Sequence, residues 1–213
     1  MPFPHRVMAD GSFAFHGARG SLTGNRGILH DAAGNPTTAR WRHQAWISCT
    51  LNQRADRAKL PLTAPGHYTP LFFLDEAVAL AAGHRPCALC RRQAFTGFRS
   101  AWAAATGLSD RAPEIDRHLH AARLTPKRQP AIREADCAAL PDHSIIRSES
   151  HMGRLFGDAL LPLTAAGYGQ PLKRPEGRVL LLTPLPLIRV LQEGYAPALT
   201  PAADRASWPD HRG

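Results

Sequence analysis

Cys87 and Cys90 stand three apart in Pro86-Cys87-Ala88-Leu89-Cys90-Arg91. Two thiolates at that spacing on a tight turn can hold one metal ion, and a soft tetrahedral ion such as zinc suits sulfur donors. The same spacing also occurs in redox dithiols and by coincidence. A redox pair opens a helix after a strand. Here the run Asp75–Ala82 reads as a helix, closed by Gly83-His84 directly before the pair. That order favours half of a zinc site, which then needs two more donors.

The elements that position the pair follow from local pattern. Leu71-Phe72-Phe73 reads as a short apolar strand. Asp75 caps a helix over Glu76–Ala82, and Gly83 takes the left-handed stop. After the cysteines, Arg91–Ala105 places Phe95, Phe98 and Trp102 on one helical face, a core pattern rather than a base-stacking platform. Pro113–Leu124 is a second helix, with Ile115, Leu119 and Ala122 inward. Upstream, a glycine-rich loop enters a short strand at Gly27–His30, and Arg40–Leu51 alternates loosely as another. Downstream, short strands fill Ser144–Tyr168 and Gly177–Leu182, and Thr183-Pro184 opens a helix over Leu187–Glu193.

The chain has 213 residues, 44% hydrophobic and 20% charged, which fits a folded protein rather than a disordered one. No apolar run is long enough to span a membrane, and the first residues lack a secretory apolar segment. With four cysteines, a reduced, cytoplasmic setting is expected. Net charge is +9, which invites a nucleic-acid partner. Lysine stands only at Lys59, Lys127 and Lys173, however, so the excess is arginine and equally fits a GC-rich genome.

The residues Gly24-Asn25 to Leu29-His30, a later Cys49, and Phe72 through Glu76-Ala77 to Ala82-Gly83-His84-Arg85-Pro86-Cys87 and Cys90 resemble the bacterial Ada-type metal-binding domain. The resemblance covers about residues 20–95. It implies a single Zn2+ held by His30, Cys49, Cys87 and Cys90, one imidazole with three thiolates in a closed structural site. In the family the first two ligands lie only a few residues apart. His30 and Cys49 do not, so an insertion is needed, or another second ligand such as His43. The family's methyl-accepting cysteine falls on His30. Zinc-bound imidazole is a poor methyl acceptor beside a zinc thiolate, so phosphotriester repair by that route is not expected.

The expected fold is α+β: a small zinc-stapled, Ada-like core with helices, followed by a C-terminal α/β extension. Its divisions are an irregular arm at 1–17, the core with its following helices at 18–124, a connector at 125–142, a strand-rich extension at 143–199 and a loose tail from 200 to 213. His84 is expected to pack beside the zinc loop, and Cys137 to be a bystander thiol. Asp116, His120 and Arg123 lie toward one side of a helix, as a solvated face or a weak catalytic candidate. Arg19, Arg26, Arg85, Arg91 and Arg92 cluster in sequence around the proposed zinc core and are candidates for phosphate contact.

Three functions compete on this reading. The first is a zinc-binding protein that contacts nucleic acid without sequence specificity. The second is a metal-containing hydrolase or nuclease-like enzyme acting on a phosphorylated substrate. The third is a zinc-stapled interaction module. No nuclease core, Walker loop or nucleophile elbow names a reaction.

Overall fold

The computed structural model describes residues 4–17, 20–51 and 61–200. The first sheet is built from β1 (Arg6–Val7), β2 (Phe13–Ala14), β3 (Leu22–Asn25), β4 (Ile47–Thr50), β5 (Leu71–Phe73) and β6 (Arg85–Pro86), in the order β2-β1-β5-β3-β4-β6. Two of its pairings, β1 with β5 and β4 with β6, are parallel. Between β5 and β6 runs α1 (Glu76–Ala81), whose first turn is capped by the Asp75 carboxylate accepting from the Val78 amide at 3.0 Å. Gly83 closes it at a φ of +81°, a left-handed conformation open to glycine, as the sequence predicts.

Two amphipathic helices follow, α2 (Arg92–Thr106) and α3 (Ala112–Arg123). The second sheet is antiparallel throughout: β7 (Arg133–Asp136), β8 (Ile145–Arg147), β9 (Met152–Phe156), β10 (Ala159–Pro162), β11 (Leu172–Lys173) and β12 (Arg178–Leu181), in the order β11-β10-β9-β8-β12-β7. The last helix is α4 (Leu185–Gln192). Four helices and two six-stranded sheets among the described residues make the fold α+β.

Several elements differ from expectation. The strand expected at Gly27–His30 lies earlier, at Leu22–Asn25, because Gly27 turns out of the sheet at a φ of +101°. The strand at 40–51 shortens to its last third. The connector at 125–142 carries β7 and a 3-10 turn at Cys137–Ala139, and Cys137 is fully buried in the second sheet's core.

The extension also shares its core with the first sheet. Ile145, Leu163 and Leu182 pack with Leu71, Phe73 and the α1 residues Ala77 and Val78. Leu187, Val190 and Leu191 of α4 bury against Phe98 and Trp102 of α2 and Ile115 and Leu119 of α3. Such shared apolar burial couples the two halves, because neither can leave without exposing the other's face. No helix among the described residues is long and apolar enough to cross a membrane.

Candidate metal centre

The parallel pairing of β4 with β6 builds the site. Ile47 registers with Arg85 and Ser48 with Pro86, so the next step along both strands sets Cys49 beside Cys87. The ladder continues through the Cys87 amide, which donates to the Ser48 carbonyl at 2.9 Å. Residues in register on neighbouring strands point to one face about 4.8 Å apart, which is sulfur-to-sulfur reach. The chain then reverses: the Arg91 amide donates to the Cys87 carbonyl at 3.1 Å, returning Cys90 toward its partners. Within that turn the amides of Leu89 and Cys90 donate to the Cys87 sulfur.

The outcome is a cluster in which the sulfurs of Cys49, Cys87 and Cys90 all lie within 4.8 Å of one another. Three thiolates on a tetrahedral zinc stand about 3.8 Å apart at a Zn–S length of about 2.3 Å, a spacing that falls within the separation found here. No fourth His, Cys, Asp or Glu among the described residues joins it. Cys87 is buried, Cys49 half-buried and Cys90 exposed.

The metal-free electrostatics already favour an anion here. The hydrogen bond from Cys49, with the two turn amides behind it, holds the Cys87 thiol down to about 4 against the opposing effect of burial. Cys49 is pushed far up, first by donating to Cys87 and then by burial. One thiolate backed by amide donors, with a thiol donating to it, is a ready metal-binding nest.

A buried polar web supports the sulfurs. Arg91, directly after Cys90, makes two bonds to Glu76 at 2.9 and 2.6 Å and donates to the Ser48 hydroxyl at 3.0 Å. Glu76 also accepts from the Tyr195 hydroxyl and the Ala198 amide, each at 2.7 Å. On the other flank, Arg85 grips both Asp116 oxygens at 2.8 and 2.7 Å.

His30 corrects the implied ligand set. Its ring nitrogens engage the Thr69 hydroxyl at 2.6 Å and the Ala64 carbonyl at 3.3 Å, and it stands outside the sulfur cluster. The reason is strand direction. β3 and β4 are antiparallel, with Thr23 opposite Cys49, so the chain from Asn25 onward runs away from the cysteines. His43, the alternative, contacts the Asn25 side chain at 3.3 Å and is likewise not in the cluster. His84 packs as expected, fully buried against Phe73 and Trp46 at centroid distances of 4.6 and 5.4 Å. Burial, with Arg26 and Arg123 nearby, holds its imidazole neutral.

The helix trio is not a free polar face. Asp116 is committed to Arg85, and Arg123 is buried, donating to the Gly83 and Gln44 carbonyls at 2.7 and 2.6 Å. His120 Nδ1 meets Arg123 at 2.8 Å, and burial followed by Arg123 takes its pKa down to about 4. The arginine cluster does not form one surface either. Arg26, Arg85 and Arg91 are buried, Arg92 is exposed, and Arg19 lies outside the described residues. Each buried guanidinium was drawn inward by an internal partner: a carboxylate for Arg85 and Arg91, an indole for Arg26.

Sequence reasoning names Arg26 and Arg123 in separate roles and misses that they meet at Trp46. Arg26 and Arg123 both lie over its ring, at 4.0 and 3.7 Å, beside a cavity that Trp41, Arg40 and Arg128 also line. The available signal is the dense aromatic and basic run Arg40-Trp41-Arg42-His43-Gln44-Ala45-Trp46. No family model, curated protein or solved structure matches the chain. The Ada-type resemblance therefore rests on its motif residues alone.

Proposed function

We propose that this is a zinc-binding protein in which Cys49, Cys87 and Cys90 supply three thiolate donors to one Zn2+, the fourth position being filled by none of the described His, Cys, Asp or Glu side chains. The observation that carries the reading is the convergence of three sulfurs, with two turn amides aimed at the middle one. The donor set fits: soft thiolates select zinc over the hard cations, and the site joins the neighbouring strands β4 and β6, which β5 and α1 separate in sequence. When bound, the ion neutralises the clustered thiolates and fastens β4 to the turn ahead of α2. The chain's own residues do the rest. β4 and β6 set the sulfur spacing, and Arg91 locks Ser48 and Glu76 behind it. Nucleic-acid contact through Arg26, Arg85 and Arg91 is not part of the proposal, since their side chains face inward.

Metal analysis of the purified protein tests it. Wild type should carry one equivalent of zinc, lost in Cys49→Ser and Cys87→Ser and retained in His30→Ala. Equal zinc in wild type and both cysteine variants, or loss only in His30→Ala, would overturn the assignment. Circular dichroism of each variant separates loss of metal from loss of fold.

A further inference from the structure

Arg26 and Arg123 are 2% and 4% exposed, yet neither makes an ion pair among the described residues. Burying a charge without a counter-charge is costly, and native proteins almost always pair it. Among the described residues Arg26 makes two long hydrogen bonds, to His84 Nε2 and the Ala82 carbonyl, both 3.3 Å and both to neutral acceptors. Arg123 spends its terminal nitrogens on Gly83, Gln44 and His120, while its Nε is buried without a partner. Asp116, which tempers Arg123, is held by Arg85. Both guanidiniums sit well below their ordinary value because of burial, Arg40 adding to the effect at Arg26 and Arg26 at Arg123. The cavity they line is where the missing charge would go.

That cavity is about 360 Å³ and lies where the β1–β2 turn, the end of α3 and the entrance to α4 meet. Its volume falls within the range of roughly 300–1,000 Å³ usual for small-molecule sites. Two more arginines, Arg40 and Arg128, stand at its rim. The carboxylate in its lining, Asp10, is already paired with Arg147 at 2.9 Å. Arg128 has a φ of +60°, an uncommon conformation for a residue with a side chain, and its guanidinium lies over the Trp41 ring at 5.6 Å. Strain of that kind collects at ligand sites. Beside Ser12 and Gln129, the remaining walls are mostly apolar, including Trp41, Ile132, Leu182 and Pro184.

We propose that this cavity binds a small organic anion, a carboxylate or phosphate monoester attached to a flat apolar body. The anionic group is drawn to the Arg26 guanidinium, whose planar fork suits both oxyanions, with the charge of Arg123 behind it. The apolar body lies along Trp41 and the aliphatic wall. Arg40 and Arg128 close over the entrance as further counter-charges. The site is separate from the cysteine cluster, and its failure would leave the zinc assignment untouched.

The test is a titration of the full-length, metal-loaded protein followed by tryptophan fluorescence, since Trp41 and Trp46 line the cavity. Phenyl phosphate and benzoate are the probes; benzyl alcohol and inorganic phosphate are the controls. One or both aromatic anions should bind saturably, at least tenfold tighter than either control, and their order tells which oxyanion is preferred. Arg40→Gln and Arg128→Gln, both at exposed positions, should each weaken binding severalfold while leaving the fold intact. Arg123→Leu should abolish it, and thermal unfolding reports whether that variant folds. No saturable response to either anion up to about 10 mM would overturn the proposal, a range that captures even weak sites. So would equal binding of benzyl alcohol, equal binding of inorganic phosphate, or affinities unmoved in both rim variants.

Discussion

Arg91 and Glu76 form a buried two-bond ion pair, at 2.9 and 2.6 Å, that ties the residue after Cys90 to the first turn of α1. The pair is the meeting point of three segments. Arg91 reaches the Ser48 hydroxyl on β4, and Glu76 accepts from Tyr195 and the Ala198 amide beyond α4. The cysteine cluster is thereby anchored to the far end of the described chain.

Glu76→Ala should destabilise the protein by about 3–5 kcal/mol, because it strands a buried guanidinium and removes the acceptor for Tyr195. It should also lower zinc affinity by about tenfold or more, as loss of a supporting shell does at other metal sites. Urea unfolding with and without chelator measures both effects. Arg91→Lys should not rescue, since an ammonium cannot span both Glu76 oxygens and Ser48. Wild-type stability in Glu76→Ala would show that the web contributes nothing to holding the turn.

Zinc binding should release protons at neutral pH. Cys87, at about 4, is already a thiolate, whereas the Cys49 thiol is held protonated by its bond to Cys87 and by burial. A thiolate ligand must lose its proton, so loading the site expels at least the one from Cys49. Calorimetric titration of the metal-free protein in two buffers of different ionisation heat reads this directly. Identical heats in both buffers would contradict the assigned protonation. Because protons compete with the metal, affinity should also fall as the solution is acidified.

Local chemistry was legible where neighbours in sequence are neighbours in space. The Asp75 cap, the left-handed Gly83, the apolar face of α2 and the Cys87–Cys90 turn are all set within a few residues of themselves. Cys49 was reached only through resemblance, and its true warrant is a parallel β4–β6 register that no local pattern encodes. His30 failed for the same reason inverted: its residue type suits zinc, but antiparallel pairing carries it away from the sulfurs. The arginines are not a surface patch, because charge in a sequence does not by itself mean exposure. In this core, carboxylates at Glu76 and Asp116 and the indole of Trp46 take guanidiniums inside. Their pairing over long separations is invisible to composition.

The capping carboxylate should make stability depend on pH in the direction opposite to an ordinary ion-paired acid. Asp75 is fully buried, its Oδ1 accepts from the Val78 amide and the Tyr168 hydroxyl, and its Oδ2 has no partner. Burial raises its pKa from 3.8 to about 6, the cap bond and Arg154 opposing. A folded value above the unfolded one means the folded state holds the proton more tightly. The group therefore favours folding most at low pH, loses ground as pH rises from about 4 to about 6, and stays flat above. The ionised form then costs at most about 3 kcal/mol at neutral pH. Asp75→Asn keeps the carbonyl acceptor for Val78 while removing the charge. Its stability relative to wild type should therefore improve steadily between about pH 4 and 6 and hold constant to pH 8. Both proteins lose zinc alike on acidification, so the difference between their urea midpoints isolates Asp75. A gap that does not change with pH would mean that the Asp75 carboxylate titrates as it does in the unfolded chain, and that its burial is compensated by Arg6 and Arg154.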